Sequence, residues 1–433
     1  MRFVTSHKKT GMIREMGVLR AGSASIKPVA ALLALTVLIV VGCRACPRYC
    51  GKPSCEDLYP SPECYPAVEA PVAEGLAASL AAHSQLPPVC SHPLQVLTLS
   101  GGVAGAPFTA GVLVGWSQSG TRPMFDEVSG ISSGALIGAF AFLGPRYDAE
   151  LQRLILNLNT TDLIRFRPLY CMLMGHGAFG SAKPAERLIR QVFDDCYVAD
   201  LRQAHAEGRR FFVGTMNLET KRLVIWDVGA IASSGRPDAG ELVRKVLLAA
   251  VSWPGAVPPV EFDVKVNGRC YREQHCDAGS VGMAFVRFGA LPGWPQTGEP
   301  VRPGWLAGSD LYVLASRKLY CDPEQVPCCA LSRLTPSFTT LFEALTRADV
   351  ARLFSVCAVS GMRYHLLSVP PDYHCETASF SNLYPKAKEA RRLFETGYRM
   401  SDCGPPWRSL PPGAGPGEEP VPRDGREVLP VCH

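Results

Sequence analysis

The stretch Gly130-Ile131-Ser132-Ser133-Gly134 constrains this chain more than any other. It fits the pattern G-x-S-x-G, in which a serine sits on a sharp turn between a strand and a helix. Phe125–Ser129 before it reads as a short strand, and Ala135–Leu143 after it reads as a buried helix. Gly130 and Gly134 let the backbone turn tightly, and the helix N-terminus directs partial positive charge toward Ser132. The plainer reading is a Ser/Gly turn capping a core helix. With 40 glycines in the chain, the five residues are a weak signal alone and gain weight from their neighbours.

One neighbour is the strand Leu94–Leu99, which runs into Ser100-Gly101-Gly102-Val103 and then a helix from near Pro107 through Trp116. Strand, glycine loop, helix, strand, serine turn, helix is the pattern of an α/β protein with a mostly parallel sheet. Residues 147–208 read as mainly helical. Arg210–Thr215 and Arg222–Trp226 read as strands joined by a short turn. Asp238 is placed to cap a helix that stops at Ser252-Trp253-Pro254-Gly255. A strand near Tyr271–His275 delivers Cys276-Asp277-Ala278-Gly279. Further on come a strand at Leu311–Ala315, a long helix over Ser337–Ser360, a strand near Tyr364–Val369 and a helix over Lys386–Tyr398.

Ester hydrolysis needs a nucleophile, a base beside it and donors for the oxyanion. Ser132 is the candidate nucleophile. Gly101 and Gly102, at the end of the adjacent strand, offer backbone N–H groups that a substrate carbonyl can approach closely. The same loop could cradle a phosphate, but G-x-G-x-x-G is not met and no Walker lysine follows. Asp277 at a strand end is the leading base, against the reading of a simple turn cap. A Ser-Asp-His triad would draw on His365 or His374 instead.

Three motifs together resemble the patatin-like phospholipase family. They are Leu99-Ser100-Gly101-Gly102 with Phe108 and Ala110–Leu113, Gly130–Ala135, and Asp277-Ala278-Gly279. Val213–Leu218 and Pro254–Val260 are similar to the family as well. The resemblance covers about residues 93–290 and extends loosely to Tyr398. It implies a three-layer α/β/α fold with a central, mostly parallel sheet, and a Ser132–Asp277 dyad without histidine. It also implies an oxyanion hole from Gly101, Gly102 and Val103, an elbow framed by Gly130 and Gly134, and acyl esters of phospholipids or lysophospholipids as substrates. No cofactor and no metal are required. The loop departs from the family's GGGxRG: Val103 stands for the third glycine, Gly105 for the basic residue and Ala106 for the last glycine. A second reading, of a different class, follows from those departures: a catalytically weak or silent surface lipoprotein that keeps the fold to bind lipid or a partner.

The ends of the chain suggest where it acts. Of the 433 residues, the first 42 hold six Lys/Arg and one Glu, which accounts for the whole net charge of +5. The remainder is balanced, so no basic excess exists to hold nucleic acid. A basic segment followed by the apolar run Pro28–Gly42 reads as a secretory signal peptide over 1–42, the plainer alternative being an uncleaved membrane helix. Met12 and Met16 are alternative starts. Val40-Val41-Gly42-Cys43 is similar to a bacterial lipobox, which implies acylation at Cys43 and anchoring in the cell envelope; Arg44 favours the outer membrane. With Cys43 lipidated, sixteen of the 17 cysteines are left to pair outside the cytoplasm. Zinc in the cluster Cys43–Cys64 is disfavoured by its uneven spacing and lack of histidine. The expected organisation is a Cys/Pro-rich stalk over 43–92, a hydrolase domain over 93–292, a C-terminal helical extension of the same domain over 293–403, and a Pro/Gly-rich tail over 404–433 that is disordered unless Cys432 ties it down.

Overall fold

The computed structural model describes residues 92–167, 178–287, 304–320, 334–374 and 383–414. All of these lie in one unit of the chain, Arg48–Pro168 with Gly177–His433. The expected signal peptide, its Cys43, the expected stalk and the far tail fall outside the described residues. Among the described residues no helix is long and apolar enough to cross a membrane.

Strands rich in branched residues build the centre: β1 (Gln95–Leu99), β2 (Glu127–Ile131), β5 (Arg210–Asn217), β6 (Arg222–Asp227), β7 (Val260–Val266), β8 (Arg269–Asp277), β9 (Asp310–Ala315) and β10 (Arg363–Ser368). Two short strands, β3 (Arg165–Phe166) and β4 (Gly180–Ser181), form a separate antiparallel pair. The helices are α1 (Ala106–Gln118), α2 (Ser133–Leu143), α3 (Asp148–Asn157), α4 (Thr160–Leu163), α5 (Lys183–Val192), α6 (Asp195–Ala206), α7 (Val228–Ala232), α8 (Ala239–Ala250), α9 (Leu334–Ser360) and α10 (Ala387–Ser401).

Among the described residues the main sheet has eight strands in the order β10-β9-β1-β2-β5-β8-β7, with β6 also paired to β5. The run β10-β9-β1-β2-β5 is parallel, while β6 and β8 meet β5 antiparallel and β7 meets β8 antiparallel. Side chains alternate across the sheet, so each face has its own core. Leu97, Leu99, Val128 and Phe211 pack with apolar residues of α1, α2, α6, α8 and α10. Val96, Leu311, Val313 and Leu366 pack with Val350, Leu353 and Cys357 of α9. The sheet is therefore sandwiched between helices in three layers, as the family resemblance implied.

Three expectations differ from the structure. No strand was anticipated over Val260–Val266, yet VEFDVKV alternates apolar and polar residues and turns into β8 through Asn267-Gly268, both with positive φ. That is the commonest signal for a two-residue hairpin. Asp238 does precede α8, but its carboxylate forms no cap; it is gripped by both Arg236 Nε and Arg236 Nη2 at 2.8 Å. The tail is docked where it begins: Arg408 exchanges backbone hydrogen bonds with Leu366 of β10, and Trp407 packs against Trp116 and Tyr312. Cys196, Cys270, Cys276, Cys357 and Cys403 are free thiols, two of them buried. The expectation of disulfides thus rests on cysteines outside the described residues.

Candidate active site

The parallel strands end together, and an open α/β sheet places its ligand crevice just beyond such carboxyl ends. Ser132 follows β2 there, with φ 55° and ψ −128°. A non-glycine residue in that region stores strain, on the order of 1–3 kcal/mol. The turn is forced by how closely α2 is drawn in. A Cβ on Gly130 would stand 2.4 Å from the Gly134 carbonyl oxygen, and a Cβ on Gly134 would stand 2.4 Å from the Leu99 carbonyl oxygen. Both glycines of the elbow are thus needed for helix, strand and β1 to approach.

Sheet register brings the second group alongside. Ile131 of β2 lies opposite Gly214 of β5, and the next residue of β5, Thr215, lies opposite Asp277 of β8. Ser132 and Asp277 are therefore drawn toward each other across one intervening strand, near enough for the Ser132 side chain to lower the Asp277 pKa. Asp277 is buried; its Oδ1 accepts the Gly279 N–H at 2.8 Å and its own N–H donates to the Ser252 carbonyl at 2.9 Å. Burial raises the Asp277 pKa to about 6, against the lowering effects of the Ser132 hydrogen bond, the Gly279 N–H and the charge of Arg317. The neighbouring Cys276 thiol is pushed up to about 12 by burial, which leaves it inert as a nucleophile.

The glycine loop lies beside Ser132. A Cβ on Gly101 would be 3.2 Å from Ser132 Cβ and 3.3 Å from Met283 Cε. The Gly101 N–H already donates to the Met283 carbonyl at 3.1 Å. In this conformation Gly101 makes room beside Ser132, and its N–H, expected to face an oxyanion, is engaged by the Met283 carbonyl. The Gly102 and Val103 N–H groups have no acceptor among the described residues. Gly102 adopts φ 143°, a conformation that suits glycine. Val103 opens a 3-10 turn, Val103–Gly105, and packs against the larger core. Ser100 and Ser316 lock the loop through the Ser316 N–H to Ser100 Oγ at 2.9 Å and Ser316 Oγ to the Ser100 carbonyl at 3.1 Å.

Arg317, which the sequence did not single out, enters from the end of β9. A Cβ on Gly102 would be 3.5 Å from its Nε, and its guanidinium lies over the Phe342 ring at 5.6 Å. Gly105 stands where the resemblance implies a basic residue, and the reason is steric: a Cβ there would be 1.7 Å from the Ser316 carbonyl oxygen. The positive charge thus reaches the loop from β9. No local motif marks Arg317; only the pairing of β9 with β1 puts it there.

Neither rival histidine joins the site. His365 Nε2 meets Asp310 Oδ1 at 2.7 Å, and its ring stacks on Tyr312. Asp310 opens β9 and pairs with Gln95 at the start of β1, the end of the strands remote from Ser132. His374 is exposed, and its carbonyl accepts from Arg392. A third histidine, His275, is fully buried between Thr215 Oγ1 at 2.9 Å and Glu273 Oε2 at 3.1 Å. Among the described residues no histidine side chain hydrogen-bonds Ser132 or Asp277.

Residues 97–287 match the family model described as patatin-like phospholipase. Among solved structures the chain is similar to VipD from Legionella pneumophila, at 13% sequence identity and a TM-score of 0.35. That similarity covers 71% of this chain and 65% of VipD. No curated protein matches the chain.

Proposed function

We propose that this chain, with its patatin-like phospholipase domain, is a serine acyl hydrolase that cleaves acyl esters of phospholipids or lysophospholipids through Ser132 and Asp277. The observation that supports the reading is the placement of the strained Ser132 beside the buried Asp277 carboxyl, whose pKa the Ser132 side chain lowers. Ser132 Oγ attacks the acyl carbonyl carbon as Asp277 takes the hydroxyl proton. The Gly102 and Val103 N–H groups receive the oxyanion, with the Arg317 charge close behind them. Collapse of the tetrahedral intermediate breaks the ester bond, and Asp277 returns its proton to the leaving alcohol. Water then attacks the acyl-serine by the same route in reverse. The cell-envelope anchor at Cys43, if acylated as the lipobox resemblance implies, would hold the enzyme at its substrate.

A pKa of about 6 suits Asp277 to this work. The carboxylate is ionised at neutral pH yet far more basic than an exposed aspartate, which favours proton transfer near the working pH. The test is hydrolysis of a soluble fluorogenic ester and of phospholipid by the wild-type chain and by Ser132→Ala and Asp277→Asn. Both variants should lose orders of magnitude in rate, and a fluorophosphonate should label Ser132. Equal ester release by Ser132→Ala would remove Ser132 from the reaction. An absence of turnover and labelling in the wild type would leave the non-catalytic lipoprotein as the reading.

A further inference from the structure

The β3–β4 hairpin and the start of α5 enclose a surface groove of about 870 Å³. Its cationic lining comes from Arg165, Arg167, Lys183, Arg187 and Arg190, with Glu186 among them. A second groove of about 570 Å³ shares Arg165, Phe166 and Arg187 and adds Lys386. Arg190 is neutralised by Glu241 at 2.6 Å and meets Glu186 at 3.6 Å. Arg165, Lys183 and Arg187 are exposed and form no ion pair among the described residues. A cationic stripe on one helix is usually only a solvated face. Here the charge converges from two elements, and aromatic rings are exposed beside it: Phe166 is 40% exposed, Phe179 38% and Trp253 37%.

The hairpin is tied to the turn that carries the candidate base. Phe179 N–H donates to the Gly255 carbonyl at 2.9 Å, and the Ser252 carbonyl in the same turn accepts the Asp277 N–H at 2.9 Å. Ile164, Ala256 and Val257 form a small buried cluster beneath it. Cations that seek phosphate and aromatic rings that settle at headgroup depth are thus carried by a hairpin linked through one turn to Asp277.

We propose that this groove is a docking surface for the anionic headgroups of a phospholipid bilayer, which seats the crevice of Ser132 on the membrane. The proposal rests on the hydrolase reading only for the choice of a bilayer over other polyanions. Arg165, Lys183 and Arg187 contact lipid phosphates, and Phe166, Phe179 and Trp253 enter the interface. Each cation near an anionic surface contributes about fivefold to partitioning, so removing three weakens this contact on the order of 100-fold at low salt.

The test is hydrogen–deuterium exchange of the full chain carrying Ser132→Ala, which removes turnover and gives a local readout independent of the N-terminal anchor. The chain is mixed with vesicles of phosphatidylcholine alone or vesicles containing phosphatidylglycerol. Amides over 164–167 and 178–190 should be protected by the anionic vesicles only. Arg165→Gln, Lys183→Gln and Arg187→Gln together should abolish that protection; the three side chains are exposed, so the fold should hold. Equal protection on both vesicles, or protection that survives the triple variant, would overturn the proposal. So would protection by inorganic phosphate or a single-stranded oligonucleotide without protection by vesicles. Ester hydrolysis by the chain with Ser132 intact is measured separately. Its absence would defeat the hydrolase reading and leave the docking result standing.

Discussion

Two buried carboxyl groups, Asp277 beside Ser132 and Glu127 at the far end of β2, are held outside their usual behaviour, and each makes a separate prediction. Arg317 lowers the Asp277 pKa by its charge while burial raises it to about 6. Activity should therefore rise with pH through about 6 and level off above it, because only the ionised carboxylate accepts the Ser132 proton. Arg317→Met removes the lowering influence, so the acid limb should move to higher pH. It also removes the cation beside Gly102, and kcat/KM should fall on the order of 10–100-fold at the plateau. A pH–rate profile reads both effects. A lowered plateau with an unmoved limb would place Arg317 away from Asp277 in solution. The sequence pointed to Ser132 and Asp277 because their motifs are local. Arg317 and the Met283 carbonyl that occupies Gly101 were illegible because they arrive through tertiary pairing.

Glu127 is the other case. It sits at the start of β2, fully buried, with Oε1 accepting the Arg287 N–H at 3.2 Å. Burial pushes its pKa from 4.5 up to about 8, only partly offset by that hydrogen bond and the Arg287 charge. The folded carboxyl is thus neutral at pH 7 where the unfolded one is ionised. Its favourable contribution is full below the unfolded value and is lost as pH rises through the folded one, at about 1.4 kcal/mol per pH unit between them. Urea midpoints should fall from pH 5 to pH 8.5, and Glu127→Gln should flatten that decline. An equally steep decline in the variant would assign it to other groups.

At the scale of elements, the crossing of α1 and α10 depends on glycines rather than on apolar bulk. Cβ atoms on Gly111 and Gly397 would stand 2.1 Å from the Phe394 carbonyl oxygen and 2.3 Å from the Phe108 carbonyl oxygen. The two backbones touch, so Gly397→Ala must push the helices apart. A loss of roughly 1–3 kcal/mol is expected, against the slight gain that Gly→Ala brings inside an unconstrained helix. Thermal unfolding distinguishes the two signs. Strands and helices with strong periodicity were readable in the sequence, including this last helix, because their patterns are local. The closeness of the crossing was not, since a glycine in a helix looks only like a weak helix former. Strand β7 was overlooked although its alternation and Asn267-Gly268 turn were present in the sequence.

For the described unit as a whole, what matters is how β9 and β10, which come late in the chain, close a sheet begun by β1 and β2. β9 lies against β1, and β10 against β9, so strands from beyond residue 292 share one sheet with those before it. The exposed side of β10 would be an edge open to strand addition, but the chain returns to it. Arg408 and Leu366 exchange N–H and carbonyl at 2.8 and 2.9 Å. Trp407 then seals the cluster of Trp116, Tyr312 and His365 with ring centroids 4.9, 5.2 and 6.0 Å away. The Pro/Gly composition that made this segment look unstructured prevents helix and strand but not docking by a single aromatic side chain. Trp407→Ala should therefore destabilise the fold by roughly 2–4 kcal/mol and expose the β10 edge. Unfolding should remain one cooperative transition at a lower midpoint, with faster aggregation in light scattering near that midpoint. Two separated transitions in the wild type would instead mean that the late strands fold independently of the early ones, against the pairing of β9 with β1.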